Sequence, residues 1–223
     1  MDAPRPGRRY TPEEYLAYER QSPYKHEYID GKIVPMGDAS DEHNLARHIV
    51  ATRGAGRRHN LITGNLLWLL MSQLRERAGE VYASLMGVKG GAGTVYIYPD
   101  IAVVCEPPQF EDPDTDTLLN PTLIIEVLSS STEAYDRGNK FAYYRQLPSL
   151  QEYVLIAQDT VLVEQFVRSG ERWVLAATTD LEAVVSLSSI DCGLPVAEVY
   201  RNVVFAAGAE AEGPDVNGDN PAP

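Results

Sequence analysis

The chain has 223 residues, 44% of them apolar, and a formal net charge of -13 at pH 7. That length supports one domain with a sizeable core, or two small ones. The acidic balance and a total of four lysines exclude a strongly basic nucleic-acid-binding stripe, leaving weak or transient binding as what charge permits.

The acidic residues are unevenly spread. Glu106, Glu111, Asp112, Asp114 and Asp116 share one proline-containing stretch, and Glu210, Glu212, Asp215 and Asp219 lie in the tail, so a groove elsewhere escapes them. Cys105 and Cys192 form no CxxC pair, which argues against a cysteine zinc site or a disulfide scaffold. The most apolar helical run, Leu66 to Met71, falls far short of the roughly 20 residues of a membrane span. No basic, apolar leader opens the chain, so a cytoplasmic location is expected.

Residues 1–9 read as a loose arm. "TPEEYLAYER" then opens a helix, with Thr11 as N-cap, Pro12 at the first helical position and Glu14 completing a capping box. "HEYIDGKIVPM" is a hairpin turning at Asp30-Gly31, with Tyr28, Ile29, Ile33 and Val34 as its packing side chains. The periodicity of Leu66, Leu67, Leu69, Leu70 and Leu74 predicts a helix over 60–77, ended by Gly79. Two strands follow, "EVYASLMGV" and "TVYIYPDIAVVC", the second with Asp100 near its middle.

A polar stretch over 106–120 leads to the strand "LIIEVL", and "TEAYDRGNKFAYYRQLP" reads as a helix, chiefly over 136–147, stopped by Pro148. "EYVLIA", "VLVEQFVR" and "RWVLAA" are strands, the last two joined at "SGE", and "GLPVAEVY" is a short closing helix or turn. Beyond Ala206 small, acidic and proline residues predict a disordered tail, 206–223. Strands around two principal helices predict an α/β or α+β domain over 10–205, a mixed sheet flanked by helices.

The residue that stands out is Glu126, set among Leu123, Ile124, Ile125, Val127 and Leu128. A buried carboxylate is costly unless paired, hydrogen-bonded or bound to a metal. The plain reading is an edge strand with one wet face. The chemical one pairs Glu126 with Asp100, each at or near an apolar strand, so that neighbouring strands aim both carboxylates into one cleft. Hard cations such as Mg2+ or Mn2+ favour such oxygen ligands, and the Val127 carbonyl completes a protein contribution. Lys140, on the helix that follows, supplies positive charge; at three and four residues from Arg137 and Tyr144 it shares their face. Its plain alternative is a solvated helix charge.

Taken together, "YPDIAVV", "LIIEVLSSSTEAYDRGNKFAYYRQL" and "QEYVLI", with "HEYIDGKIVPM" and "HNLITGNLLWLL" before them, resemble the restriction-endonuclease family common in bacterial genomes, a branch of the PD-(D/E)XK nuclease superfamily. The resemblance spans roughly residues 10–200. It implies a restriction-endonuclease-like core and metal-dependent cleavage of DNA, with Asp100 matching the PD aspartate and Glu126 the acid of (D/E)XK. It further implies that Glu27 supports the site and that a homodimer forms. The superfamily lysine two residues after Glu126 is replaced by Leu128, and the resemblance moves its role to Lys140. His59, or alternatively His43, matches the histidine at the start of the long helix, and residues 45–60 stand as an insertion. The basic run around Arg47, His48, Arg53, Arg57, Arg58 and His59 reads as a surface insertion or a phosphate-contacting flap. No glycine pattern matches a nucleotide-binding fingerprint, so no organic cofactor is expected. A catalytically degenerate nuclease fold that binds nucleic acid or protein is the alternative function.

Overall fold

The computed structural model describes residues 4–5, 7–36, 56–91, 95–111, 117–130 and 132–205. Most of the 45–60 stretch, His43, Ser131 and the 206–223 tail lie outside them.

Helix α1 (Pro12–Glu19) starts as its sequence dictates: the Thr11 hydroxyl accepts the Glu14 N–H, and the Glu14 carboxylate accepts the Thr11 N–H. Strands β1 (His26–Ile29) and β2 (Lys32–Pro35) form the hairpin, pairing Ile29 with Lys32 across Asp30 and Gly31. Both turn residues have left-handed φ, 47° and 85°, the geometry that matches the right-handed twist of the strands. Tyr28 and Ile33 are buried, while Ile29 and Val34 are half-buried.

The long helix α2 runs Arg57–Leu74, not 60–77. Its cap is Arg75 rather than a glycine, and Gly79 follows as part of the connection to β3. Ile62, Leu66, Leu69, Leu70 and Leu74 are its buried stripe.

Two expected strands are each broken in two. "EVYASLMGV" becomes β3 (Glu80–Ala83) and β4 (Gly87–Gly90), and "TVYIYPDIAVVC" becomes β5 (Val95–Ile97) and β6 (Ile101–Val104). In each case the halves belong to different sheets. Pro99 cannot donate to a ladder, so the chain leaves one sheet there and enters the other. Asp100 therefore stands at a break between strands, not in the middle of one.

The 106–120 stretch carries β7 (Thr117–Leu118), and β8 (Leu123–Leu128) follows. Next come α3 (Glu133–Tyr135), a π-turn over Asp136–Lys140 and α4 (Phe141–Tyr144), one helical run with a widened middle. Strands β9 (Glu152–Ala157), β10 (Val163–Ser169) and β11 (Arg172–Thr178) form a meander as expected. "GLPVAEVY" yields part of β13 (Cys192–Pro195) and α5 (Val196–Val199), and β12 (Val184–Leu187), which the pattern does not announce, pairs with β13.

Sheet one has the order β2-β1-β5-β4-β7 and sheet two the order β11-β10-β9-β8-β6-β3. The result is a mixed α+β architecture with parallel and antiparallel pairs, in keeping with a restriction-endonuclease-like fold. One face of sheet two packs Ile125, Val127, Val154 and Ile156 against α2 and the β12–β13 hairpin. The other packs Ile124, Leu128 and Leu155 against Val88, Val95 and Ile97 of sheet one and against Tyr144. Strand β8 lies inside sheet two and all six of its residues are buried, so the wet-edge reading of Glu126 is wrong.

Because Ala at a left-handed position costs about 1–2 kcal/mol, Gly31→Ala is expected to lower unfolding stability by that amount, with the m-value unchanged in urea denaturation.

Candidate functional site

The site grows from one pairing register. Strands β6 and β8 are antiparallel with Ile101 opposite Ile125, so one residue further on Asp100 comes opposite Glu126. The two segments are tied reciprocally. The Val127 N–H donates to Asp100 Oδ2 at 2.7 Å, and the Asp100 N–H donates to Glu126 Oε2 at 3.3 Å. The expected meeting of these two carboxylates is thus realised, by neighbouring strands of one sheet.

Glu126 shares its face of β8 with Ile124 and Leu128, the face onto which the following helical run packs. From that run Lys140 reaches back, its Nζ 2.9 Å from Glu126 Oε1 and 3.4 Å from Asp136 Oδ1. The ammonium also donates to the Tyr98 carbonyl at 3.1 Å. It is buried, as are Glu126 and Asp136, so the reading of Lys140 as a solvated helix charge is excluded.

The π-turn runs from Asp136 to Lys140, and both of these side chains belong to the buried charged cluster. Arg137 and Tyr144, expected to share the lysine's face, do other work. Arg137 is gripped by Glu133 and Glu164, and Tyr144 is fully buried in the core. Asp136 is the site residue that sequence reasoning missed. Its spacing of four from Lys140 was the available signal.

Glu27 enters from β1 in the other sheet. Its Oε2 accepts the Tyr135 hydroxyl at 3.1 Å, and it contributes with Glu126, Asp136 and Asp100 to the negative field around Lys140. His59, in the first turn of α2, closes the opposite side: its Nε2 lies 3.2 Å from Asp100 Oδ2, and it also interacts with the Val127 backbone.

Four carboxylates thus surround one lysine and one histidine. Burial pushes the Glu126 carboxyl well up, and Lys140 only partly offsets it. Burial likewise raises Glu27 against the pull of Lys140. Burial pulls the Lys140 ammonium down, but Glu126, Asp136 and Glu27 overcome it and hold the charge firmly in place. For His59 burial is again the largest single effect and acts downward, yet the hydrogen bond and charge of Asp100 reverse it and the net shift is upward.

The donor atoms suit a hard cation. Glu126 Oε1 is buried and has no well-aligned hydrogen-bond donor, despite the nearby ammonium. Among the described residues no three His, Cys, Asp or Glu side chains form a metal cage.

Residues 47–197 match the family model described as "Putative restriction endonuclease" (Uma2). The chain belongs to the Uma2 family. It is similar to two uncharacterized Synechocystis proteins, sll1609 and slr1290. The first is 36% identical over 179 residues, which is 80% of this chain and 92% of that protein. The second is 32% identical over 195 residues, or 87% and 93% respectively. The Uma2 match includes His59, Asp100, Glu126, Asp136 and Lys140, and begins after Glu27. A nuclease-like family assignment and the mixed-sheet fold therefore agree. Among the described residues no helix is long and apolar enough to cross a membrane.

Two outcomes follow from the electrostatics. Asp100→Asn removes the main group that raises His59, leaving Asp136 and the Val127 backbone against burial, so the imidazole pKa followed by NMR titration falls below its wild-type value. Lys140→Met leaves buried carboxylates uncompensated, costing about 3–5 kcal/mol of stability near neutral pH. The Glu126 and Glu27 pKa values, already raised by burial, then rise further above their unfolded values. The folded state keeps its stability below the unfolded pKa and loses it as pH climbs through the folded pKa, so the deficit in denaturant unfolding grows as pH rises.

Proposed function

We propose that the protein is a Mg2+- or Mn2+-dependent endodeoxyribonuclease that hydrolyses DNA phosphodiester bonds. The observation that carries this reading is the register that sets Asp100 opposite Glu126, with Lys140 against the glutamate. A divalent cation beside Glu126 would favour the ionised carboxylate against the burial that raises it. Asp100, Glu126 and the Val127 carbonyl would hold it. Bound there, such an ion polarises a phosphate and lowers the pKa of a coordinated water.

The protein's own groups do the rest. The Val127 N–H and His59 fix the Asp100 carboxylate, so one ligand is oriented before substrate arrives. Lys140, held by three acceptors, offsets charge that grows on the phosphoryl oxygens. Glu27, tied to Tyr135, supports the site from sheet one by helping to hold that ammonium. The first turn of α2 carries Arg57, Arg58 and His59 with no acidic residue, a positive helix end beside Asp100 in an otherwise acidic chain. Arg58 is partly engaged by Asp159 at 2.5 Å. This modest local charge favours weak, transient DNA engagement in the cytoplasm.

The test combines Mg2+ or Mn2+ calorimetry with a cleavage assay on duplex, single-stranded and branched DNA. Wild type is expected to bind the ion and cut. Asp100→Asn and Glu126→Gln, folded by circular dichroism, should each lose about 10²–10³-fold in rate, on the scale of removing one electrostatic stabiliser of a transition state. Equal cleavage by all three proteins rejects the site. Absence of both ion binding and cleavage in wild type moves the reading to a degenerate nuclease fold that binds nucleic acid or protein.

A further inference from the structure

The edges of the two sheets are not treated alike. Natural sheets protect free edges with shortness, charge or proline. Strand β2 has four residues and carries Lys32 and Pro35, β7 has two residues, and β3 has four and begins with Glu80. Strand β11 is different. It is seven residues long, closes sheet two, and presents Val174 and Leu175 at 55% and 51% exposure, followed by exposed Ala176 and Ala177. It has neither lysine nor proline. No described element pairs with its outer side.

The hairpin register says which backbone groups are free. Ser169 and Arg172 face each other across the two-residue turn Gly170-Glu171, so they form the closing hydrogen-bonded pair. Alternation then turns Arg172, Val174, Ala176 and Thr178 toward β10. The N–H and C=O groups of Trp173, Leu175 and Ala177 point outward. These three positions are symmetric about Leu175, so the edge is complementary to itself.

We propose that β11 is a homodimer interface, pairing antiparallel with β11 of a second copy about a two-fold axis at Leu175 and joining two six-stranded sheets into one. In that register Leu175 faces its own counterpart, Trp173 faces Ala177 and Val174 faces Ala176, so the larger side chain of each unlike pair meets the smaller. Arg172 faces Thr178 and lies diagonal to Asp180, two residues further along, which gives an opposite-charge pair at each end. Such a contact is isologous and closes at two subunits. The choice of a second copy rests on this self-complementarity, and the inference is independent of the nuclease reading.

Sedimentation velocity of the full chain across a concentration series tests it. Wild type is expected to approach twice the 24.6 kDa chain mass. Leu175→Lys sets like charges against each other on the axis and should raise the dimer dissociation constant by about a hundredfold or more. Leu175→Pro removes only an outward N–H and should also yield monomers, with the circular dichroism of wild type retained. Hydrogen exchange on the unsubstituted protein supplies a readout free of folding defects, since protection over 172–178 should increase with concentration. A monomeric wild type, dimers that survive both substitutions, or protection at 172–178 independent of concentration overturns the proposal. The last result would mean that this chain covers its own edge.

Discussion

Everything at the centre of this molecule depends on one buried ammonium. Lys140 is surrounded by Glu126, Asp136, Glu27 and Asp100, contributed by strands of both sheets and by the helical run between β8 and β9. Removing so many carboxylates from water is costly, and a single lysine with three close acceptors is what makes the arrangement tenable. The architecture follows from that need. The parallel pairing of β8 and β9 requires a crossover, the crossover carries Lys140, and the chain's passage from β5 to β6 carries Asp100 to the same place.

The gathering of four acidic groups around one lysine distinguishes this cluster from an ordinary internal salt bridge. Two other acids withdrawn from solvent are fully employed in structure. Glu152 accepts both hydroxyls of Ser188 and Ser189, and Glu19 binds His26 and Tyr98. Around Glu126, by contrast, burial has driven the carboxyl upward and an oxygen lacks a well-aligned donor. That contrast motivates the cation site proposed at Glu126.

Misreadings of the sequence arose where local pattern and tertiary pairing diverge. "TVYIYPDIAVVC" has the composition of one continuous strand, and only the assignment of its halves to two sheets reveals the break at Pro99 and Asp100. The long helix begins at Arg57, and its first turn carries His59 to Asp100, a contact 41 residues distant that periodicity does not register. Arg137 shares a predicted helix face with Lys140. Glu133 and Glu164 claimed it instead, while burial selected Lys140.

The sequence by itself determined the features whose causes are local. These are the capping box at Thr11 and Glu14, the Asp30-Gly31 turn, the buried stripe of α2, the β9–β11 meander, and the anomaly of a glutamate in an apolar strand. Family resemblance also placed Lys140 as the substitute for the lysine absent at Leu128. Only the tertiary structure decided that Asp100 stands opposite Glu126, that Asp136 joins them, that His59 fixes Asp100, and that β11 is an edge no described element covers. Capping, turns and periodicity are written within a few residues of chain. Register, burial and the compensation of charge are set by partners tens of residues away.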